Sequence, residues 1–422
     1  MTEEFKEKNV LILDAFSSIH VGNGVLIDNS IKLIKEINPD AKVNLLSMDP
    51  ETNRVKYPDV DYPMFGIFWR NKGFLQKLTW IVSNFIFVFL QIVNQYTLRI
   101  SPKKLSFSSY QKRAFDKIEK ADVCVSIIGE AINDNFYQAL YFWLFNYWIT
   151  IRMGKRFVLF PQSIGPLENS FNKFIVYRTL KNASLLIARD QNSFNKLVEL
   201  GFEESQIAYS VDVGLLQEIE PSSQYLINDY FESNDSKKVI GLTLSKFPGE
   251  IEGPQNYLDI IIQEIRKEVD PTGYKILLMP SNYVKNGESA DYQVCFHAYT
   301  QLKQTHEVSI LPNRTFFPNE YTTLLSQLHF FISTRMHVTI LACSQAIPTI
   351  AISSQFKIKG FMENIGQGNF IVELDNLLKL SDKIKIVLHD RDSISVSIKD
   401  NVSKQKKTLI EIQKLLKPVF CD

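Results

Sequence analysis

The sequence predicts an α/β protein with two doubly wound domains, and three observations support this fold class. Short apolar runs such as residues 10–14 (VLILD) alternate with stretches of helical periodicity such as residues 25–37. This alternation is typical of parallel strands joined by crossover helices. Residues 221–238 are polar and lack periodicity, which indicates a linker. Beyond them the alternation starts again at residues 239–244 (VIGLTL).

The N-terminal domain is predicted to span residues 1–220. Its first strand is followed by a loop, Gly22-Asn23-Gly24, and then by a helix, which is the opening of a βαβ unit. Further along, residues 193–200 have helical spacing and end at Gly201. The apolar runs that predict the remaining strands are 43–47, 123–128, 156–160, 184–188 and 208–211.

The C-terminal domain is predicted to span residues 239–422 and to repeat the same design. A helix is predicted at residues 257–269, and the later strands are predicted at 275–279, 330–333 and 349–352. Two halves of similar size, joined once, predict two Rossmann-like domains with a central cleft. In open α/β sheets ligands bind beyond the carboxyl ends of the strands, so polar residues at those places are the candidates for function.

The composition excludes several classes of function. The 422 residues include 47 Lys and Arg against 46 Asp and Glu, a net charge of +1, so the basic excess of a nucleic-acid-binding protein is missing. The charged N-terminus has no apolar signal-peptide core behind it, so we expect a cytoplasmic protein. The cysteines and four of the histidines are scattered without ligand spacing, so we expect neither a metal site nor a disulfide framework. These residues are Cys124, Cys295, Cys343, Cys421, His297, His306, His329 and His389.

An aromatic-rich helical insertion is predicted near residues 65–150. Within it, residues 80–93 (WIVSNFIFVFLQIV) are almost entirely apolar, but they are fewer than the ~20 that a spanning helix needs. One interpretation is a buried or domain-packing helix, because short apolar runs usually belong to a core. The other is a helix that lies on a membrane surface, with cationic flanks against anionic lipid. The flanking cations are Lys72, Lys77, Arg99, Lys103 and Lys104.

The sharpest candidate cluster is Ser333-Thr334-Arg335-Met336-His337, which follows a predicted strand and precedes an apolar helical run. Arg335 and His337 are therefore expected at a helix start, where backbone N–H groups and the helix dipole favour an anion. Arginine offers a bidentate fork for carboxylate or phosphate, and histidine can move a proton near neutral pH. The alternative is a helix cap in which Arg335 forms a structural ion pair.

A second arginine, Arg189, follows the predicted strand 184–188. It occupies the place in the first half that Arg335 occupies in the second. Together the two arginines would clamp a ligand with two anionic groups across the cleft. The alternative for Arg189 is a structural ion pair with a neighbouring acid.

Polar residues after three other predicted strands complete the set of candidates. In the loop 160–166, two prolines and a glycine fix the backbone and leave Gln162 and Ser163 to present hydrogen-bonding groups. Glu130 and Asp134 follow Gly129 and are candidates for accepting a sugar hydroxyl. Lys357 is a third cation just past a strand.

Taken in this order, these residues resemble the polysaccharide pyruvyl transferase family of bacterial surface-polysaccharide biosynthesis. The most specific part of the resemblance is the Arg-x-His helix start with its downstream proline and lysine. The matching elements are Gly22-Asn23-Gly24, Gly129, Pro161-Gln162-Ser163-Ile164-Gly165, Arg189-Asp190, Ser193, Leu200-Gly201, Val211-Asp212, Arg335-Met336-His337, Ile347-Pro348, Lys357, Phe361 and Gly366.

The resemblance implies a GT-B-like arrangement of the two domains and a particular reaction. A pyruvyl group would pass from phosphoenolpyruvate to two hydroxyls of one sugar, giving a cyclic ketal and free phosphate. No cofactor is implied beyond phosphoenolpyruvate as co-substrate. By similarity, Arg335, Met336 and His337 match the donor-binding segment, and Arg189 matches a second donor-binding arginine.

The chemistry of the donor agrees with this set of residues. Phosphoenolpyruvate carries a carboxylate and a phosphate, which Arg189 and Arg335 would hold while Lys357 assists by its charge. Ketal formation needs a proton on the methylene carbon, and we assign His337 either to that transfer or to a hydrogen bond with the phosphate.

The sugar acceptor is expected on the N-terminal domain, at Glu130, Asp134, Gln162 and Ser163. Here the sequence departs from the family, since Gly129-Glu130 stands where many members have a run of glycines. The sequence identifies neither the acceptor sugar nor the general base, and it leaves open whether the acceptor is lipid-linked.

Two other functions remain open. A GT-B glycosyltransferase with a nucleotide-sugar donor would share the architecture and would use basic residues of the C-terminal domain to hold a diphosphate. A non-catalytic carbohydrate-binding protein would instead have Arg189 and Arg335 tied up in structural ion pairs.

Overall fold

A computed structural model describes residues 7–66, 73–231, 236–245, 257–283, 290–353 and 356–421. The chain forms two compact units of similar size. The N-terminal unit comprises the described parts of Met1–Ser17, Ser30–Asp212 and Ile410–Asp422, and the C-terminal unit comprises Ser18–Asn29 and those of Val213–Leu409.

The N-terminal unit is built on a seven-stranded parallel sheet with the order β3-β2-β1-β4-β5-β6-β7. The order reverses between β1 and β4, as in a doubly wound fold. The central strands are apolar because helices cover both faces of the sheet. The strands are β1 Asn9–Ala15, β2 Lys42–Ser47, β3 Val60–Asp61, β4 Val123–Ser126, β5 Arg156–Gln162, β6 Leu185–Ala188 and β7 Ile207–Tyr209.

The C-terminal unit repeats this design with a six-stranded parallel sheet in the order β10-β9-β8-β11-β12-β13. The order reverses between β8 and β11, where Thr243 pairs with Ser333, so both strands end at the same edge of the sheet. The predicted α/β class with parallel sheets is confirmed. The strands are β8 Lys238–Thr243, β9 Tyr274–Leu278, β10 Glu307–Ile310, β11 Phe330–Ser333, β12 Thr349–Ile352 and β13 Ile371–Val372.

Helices connect the strands of both sheets, and their apolar faces form the cores of the two units. In chain order they are α1 Val21–Ile37, α2 Pro50–Asn53, α3 Phe74–Tyr96, α4 Ser109–Lys120, α5 Tyr137–Arg152, α6 Ser170–Leu180, α7 Gln191–Glu199, α8 Tyr225–Tyr230, α9 Tyr257–Glu268, α10 Ala290–Leu302, α11 Pro318–Ser326, α12 Met336–Ser344, α13 Phe356–Asn364 and α14 Leu380–Cys421.

The boundaries between the units differ from the predicted ones at 220 and 239. The predicted linker 221–238 contains α8, and its Leu226 is buried in the core of the C-terminal unit, so its first half is part of that unit; residues 232–235 lie outside the described residues. Val21 and Val25, at the start of α1, are buried in the same core. The end of α14 returns to the N-terminal unit, where Phe420 is buried and packs against Phe160.

The aromatic insertion is helical, as predicted, but its first helix is not a buried one. Helix α3 is longer than the predicted segment 80–93 and packs on the core of the N-terminal unit through Phe87. Most of its large apolar side chains are exposed. The interpretation as a buried helix is therefore wrong for this face. The predicted flanking residue Lys72 lies outside the described residues.

Candidate anion-binding site

Arg335 is placed by the turn from β11 into α12. Its backbone is extended and immediately precedes the first residue of the helix. The Ser333 hydroxyl accepts a hydrogen bond from the Arg335 amide at 3.1 Å. The Arg335 carbonyl accepts from both the amide and the hydroxyl of Thr339, at 3.1 and 2.9 Å. These bonds fix the point from which the guanidinium projects.

A buried carboxylate orients the guanidinium. Arg335 donates through Nε to Asp291 Oδ2 at 3.2 Å and through Nη2 to Asp291 Oδ1. The Asp291 side chain is fully buried and also accepts from the Ser281 hydroxyl at 3.1 Å. Burial raises the pKa of Asp291, although the charge of Arg335 opposes this shift. The Arg335 side chain is 29% exposed, and Nη1 has no acceptor among the residues that the structure describes.

The start of α1 lies against the start of α12. The amide of Val21 donates to the Ser281 carbonyl at 2.9 Å. This bond fixes the start of α1 beside the segment that follows β9. A Cβ atom built on Gly22 would lie 2.8 Å from Nδ1 of His337 and 3.0 Å from Cε1 of His20. Any residue other than glycine would therefore push the two imidazoles away. The glycine loop of the sequence serves this close approach.

His20 is the residue at this start that the sequence analysis missed. Its Nδ1 accepts a hydrogen bond from the Gly22 amide at 3.1 Å, so in the neutral ring the proton resides on Nε2. Burial, together with the charge of Arg335 and the nearby His337, lowers the pKa of His20 to about 3. His20 is therefore neutral at physiological pH and can donate from Nε2. The only sequence signal was its position two residues before the glycine loop.

These residues make a site suited to an anion. The first turns of α1 and α12 adjoin one another, and each contributes the positive end of a helix dipole. Arg335 adds a full charge, and His337 lies within the first turn of α12. The site is at the carboxyl edge of the sheet, where the strand order reverses. It can hold an anionic ligand and bring an imidazole to it.

Met336 and Lys357, the remaining predicted donor residues, belong to the same unit. Met336 is the first residue of α12 and is mostly buried. Lys357 lies in the first turn of α13, which follows β12. Because β12 pairs in parallel with β11, α13 begins at the same edge of the sheet as α12. Asp291, in contrast, lies in a segment without any pattern that would have predicted it.

Arg189 has different surroundings, in the N-terminal unit. Its Nη1 donates to Asp212 at 2.7 Å, and both side chains are almost fully buried. Its Nε donates to the Ser163 hydroxyl at 2.9 Å, and that hydroxyl donates to Asp190 at 2.8 Å. Arg189 thus forms a structural ion pair, the alternative that the sequence left open, but its partner is Asp212 and not the neighbouring Asp190. A donor-binding role for Arg189 stays a prediction.

The predicted acceptor residues fall into two groups. Gln162, the last residue of β5, and Ser163, which follows it, are fully buried. Their role as acceptor ligands stays a prediction. Asp134 accepts from the amides of Glu168 and Asn169 at 2.6 and 2.9 Å. Burial alone would raise the pKa of Asp134, but these hydrogen bonds outweigh it and lower the pKa.

Glu130 and Asp134 therefore differ in what they can offer. The Asp134 carboxylate also accepts from the Asn172 side chain at 2.6 Å, so it already anchors the start of α6. Glu130 is half-buried and accepts from the Asn133 side chain at 2.7 Å. Among the described residues no group of three or more His, Cys, Asp or Glu side chains could hold a metal ion.

Comparison with known proteins supplies the remaining findings. A family model for polysaccharide pyruvyl transferases matches residues 20–355. The amylovoran biosynthesis protein AmsJ of Erwinia amylovora is 19% identical over 315 residues, which cover 72% of this chain and 74% of that protein.

Several solved structures have a similar fold. Anabaena HepE, in complex with UDP-glucose, superposes with a TM-score of 0.56 at 16% identity, covering 96% of this chain and 97% of its own. A glycosyltransferase from Rickettsia africae gives 0.58 at 13% identity, covering 98% and 99%. A UDP-GlcNAc 2-epimerase from Neisseria meningitidis gives 0.55 at 12% identity, covering 96% and 100%. These likenesses confirm the GT-B-like fold.

Proposed function

Because the chain belongs to the polysaccharide pyruvyl transferase family, we propose that it transfers the pyruvyl group of phosphoenolpyruvate to two hydroxyls of a sugar in bacterial capsule or exopolysaccharide biosynthesis. One observation supports this most: Arg335 and the first turns of α1 and α12 adjoin at the edge of the sheet where ligands bind. A small donor with two anionic groups suits that site.

In this proposal the donor binds through both of its anionic groups. The outer edge of the Arg335 guanidinium, which Asp291 leaves open, takes one of them. The backbone N–H groups at the start of α12 take the other, with Nε2 of His20 as a further donor. Lys357 adds charge from the start of α13. No metal or cofactor is part of the proposed reaction.

The reaction needs two additions to one carbon. A proton is added to the methylene carbon of phosphoenolpyruvate, which leaves an oxocarbenium-like centre at C2. The first sugar hydroxyl adds there and loses its proton to a base. Phosphate then leaves with its bridging oxygen and takes up a proton, and the second hydroxyl closes the ring after losing its own. The products are a cyclic ketal and free phosphate.

His337 is the side chain that we assign to the proton transfer, or else to a hydrogen bond with the phosphate. It lies in the first turn of α12, beside the anion-binding groups, and imidazole exchanges protons near neutral pH. His20, whose pKa is about 3, is neutral and serves as a donor rather than as an acid. For the acceptor, Glu130 remains the candidate ligand or base. Asp134 would act indirectly, by holding the backbone amides of Glu168 and Asn169 in place.

The test is product formation from phosphoenolpyruvate and a panel of free and lipid-linked sugar acceptors, measured as phosphate release and as a pyruvylated product by mass spectrometry. We expect acceptor-dependent release by the wild type and its loss in Arg335→Gln. Arg314→Gln is the matched control, since Arg314 also pairs with a carboxylate, that of Glu320, in the same unit. His337→Gln separates the two assignments: near-complete loss of turnover supports proton transfer, whereas unchanged turnover contradicts it.

A second candidate is glycosyl transfer from a nucleotide sugar, and the fold shared with the HepE complex with UDP-glucose favours it. Both donors would use the C-terminal unit. Release of UDP from a UDP-sugar, with no phosphate release from phosphoenolpyruvate on any acceptor, would replace the proposed reaction with this one.

A further inference from the structure

Helix α3 buries several polar side chains and exposes most of its large apolar side chains. The buried positions include Asn84, Gln91 and Asn94, spaced seven and three residues apart along one face. Gln91 donates to the Pro102 carbonyl at 2.8 Å, and Asn94 exchanges two hydrogen bonds with the backbone of Ile100. A surface helix of a water-soluble protein has the opposite arrangement.

The outer face of α3 is a continuous apolar stripe. Phe85 and Phe89 are 74% and 58% exposed. Single exposed apolar residues are ordinary, but a contiguous patch marks an interaction surface. The residues of this outer face are Phe74, Leu75, Leu78, Ile81, Val82, Phe85, Ile86, Phe89, Ile92 and Tyr96.

The charged residues of the segment that contains α3 have one sign. Between Asp61 and Asp116 the sequence contains eight Lys and Arg residues and neither Asp nor Glu. Lys77 in the first turn of α3, together with Arg99 and Lys104 beyond its end, is exposed and makes no ion pair within the described part of the chain. An apolar stripe bordered by unpaired cations is complementary to a layer with an apolar interior and an anionic surface.

We propose that the outer face of α3 docks the protein on an anionic lipid bilayer, with the helix lying in the plane of the interface. By length and composition α3 could also cross a membrane, and among the described residues it is the one helix that could. Spanning would need lipid on all sides, whereas Phe87 and the polar stripe of α3 are packed into the protein. A second copy of the chain is a less suitable partner for this face. Pairing two outer faces would bring their cations together, and the segment between Asp61 and Asp116 contains no acids to pair with them.

The proposal is independent of the reaction and is tested without measuring it. Full-length protein is sedimented with vesicles of phosphatidylcholine alone and of phosphatidylcholine with about 30% phosphatidylglycerol, which gives an anionic surface. We expect binding to the anionic vesicles, weaker binding to the neutral ones and a loss of binding as salt is raised.

Two variants with matched controls assign the binding to α3. Phe85→Ser with Phe89→Ser should lower the bound fraction at least tenfold. Phe171→Ser with Phe174→Ser, which changes two phenylalanines that are 60% and 58% exposed in the same unit, should leave it unchanged.

The charge variant is Lys77→Gln, Arg99→Gln and Lys104→Gln, which should weaken binding to anionic vesicles only. Its control is Lys399→Gln, Lys407→Gln and Lys414→Gln on the exposed side of α14. Circular dichroism checks that each variant is folded.

Several results would overturn the proposal. These are failure of the full chain to bind either vesicle, equal binding by the Phe85 and Phe89 variant, or an equal loss in the Phe171 and Phe174 control. A lipid-free dimer that the Phe85 and Phe89 variant converts to a monomer would assign the face to a second copy instead.

Discussion

Arg189 and Arg335 both follow a strand and both pair with a carboxylate, yet their burial separates them. Arg189 and its partner Asp212 are both almost fully buried, whereas Arg335 keeps one edge exposed while Asp291 is buried. Sequence pattern places both arginines at strand ends but cannot distinguish them. What distinguishes them is the exposure of the arginine side chain, 2% for Arg189 and 29% for Arg335, because both carboxylates are buried.

At the residue scale, the first prediction concerns Gly22. A methyl group there would meet His337 at 2.8 Å, so Gly22→Ala should lower the free energy of unfolding by about 1–3 kcal/mol and displace the imidazole. Urea unfolding and phosphate release from phosphoenolpyruvate measure the two effects. Gly360→Ala is the control, since nothing lies within 4 Å of its added Cβ. The alanine should slightly stabilise helix α13. Wild-type stability in Gly22→Ala would contradict the close packing.

The second residue-scale prediction is a pH dependence. The pKa of His20 falls from 6.5 in the unfolded chain to about 3 in the folded protein. Between these pH values the unfolded chain therefore binds a proton that the folded protein does not. The stability due to neutral His20 is thus fully present above pH 6.5 and is lost as the pH falls towards 3.

His20→Asn keeps an acceptor for the Gly22 amide but does not titrate in this range. Urea midpoints at pH 4.5 and 7.5 should therefore differ less in this variant than in the wild type. His297→Asn, at an exposed helical position, should keep the wild-type difference. Identical pH dependence in His20→Asn and the wild type would contradict the lowered pKa.

Among the elements, local apolar runs predicted the strands well because parallel strands are covered on both faces. The run 10–14 became β1 Asn9–Ala15, and 330–333 became β11 with the same bounds. The start of α12 at Met336 was also predictable from the strand, polar turn and apolar run around it. The exposure of α3 was not predictable, because an apolar run alone does not say whether a helix face is covered by the core or exposed.

The arrangement of α3 gives an element-scale prediction. Asn94→Ala removes both hydrogen bonds to the backbone of Ile100 and should lower the free energy of unfolding by about 1–2 kcal/mol. Phe85→Ala, on the exposed face, should change it by less than about 0.5 kcal/mol. Urea unfolding of the two variants measures both. A larger cost for Phe85→Ala would mean that this face is covered by protein in solution.

For the whole molecule, the sequence predicted two parallel sheets because the alternation of strand and helix is repeated along the chain. It did not predict that Ser18–Asn29 belongs to the C-terminal unit or that Ile410–Asp422 belongs to the N-terminal one. Periodicity is local, whereas these assignments depend on contacts such as that of Val21 with Ser281. The same limit hid His20 and Asp291, which reach the site from distant parts of the chain.

The most direct test of the account is calorimetric titration of the protein with phosphoenolpyruvate and with UDP-glucose. The wild type should bind phosphoenolpyruvate, and Arg335→Gln should weaken that binding roughly 10- to 150-fold, the equivalent of about 1.5–3 kcal/mol for a charged hydrogen bond. Arg314→Gln should bind like the wild type. Phosphoenolpyruvate binding that is equal in the wild type and Arg335→Gln, or binding of UDP-glucose alone, would contradict the assignment of this site to the pyruvyl donor.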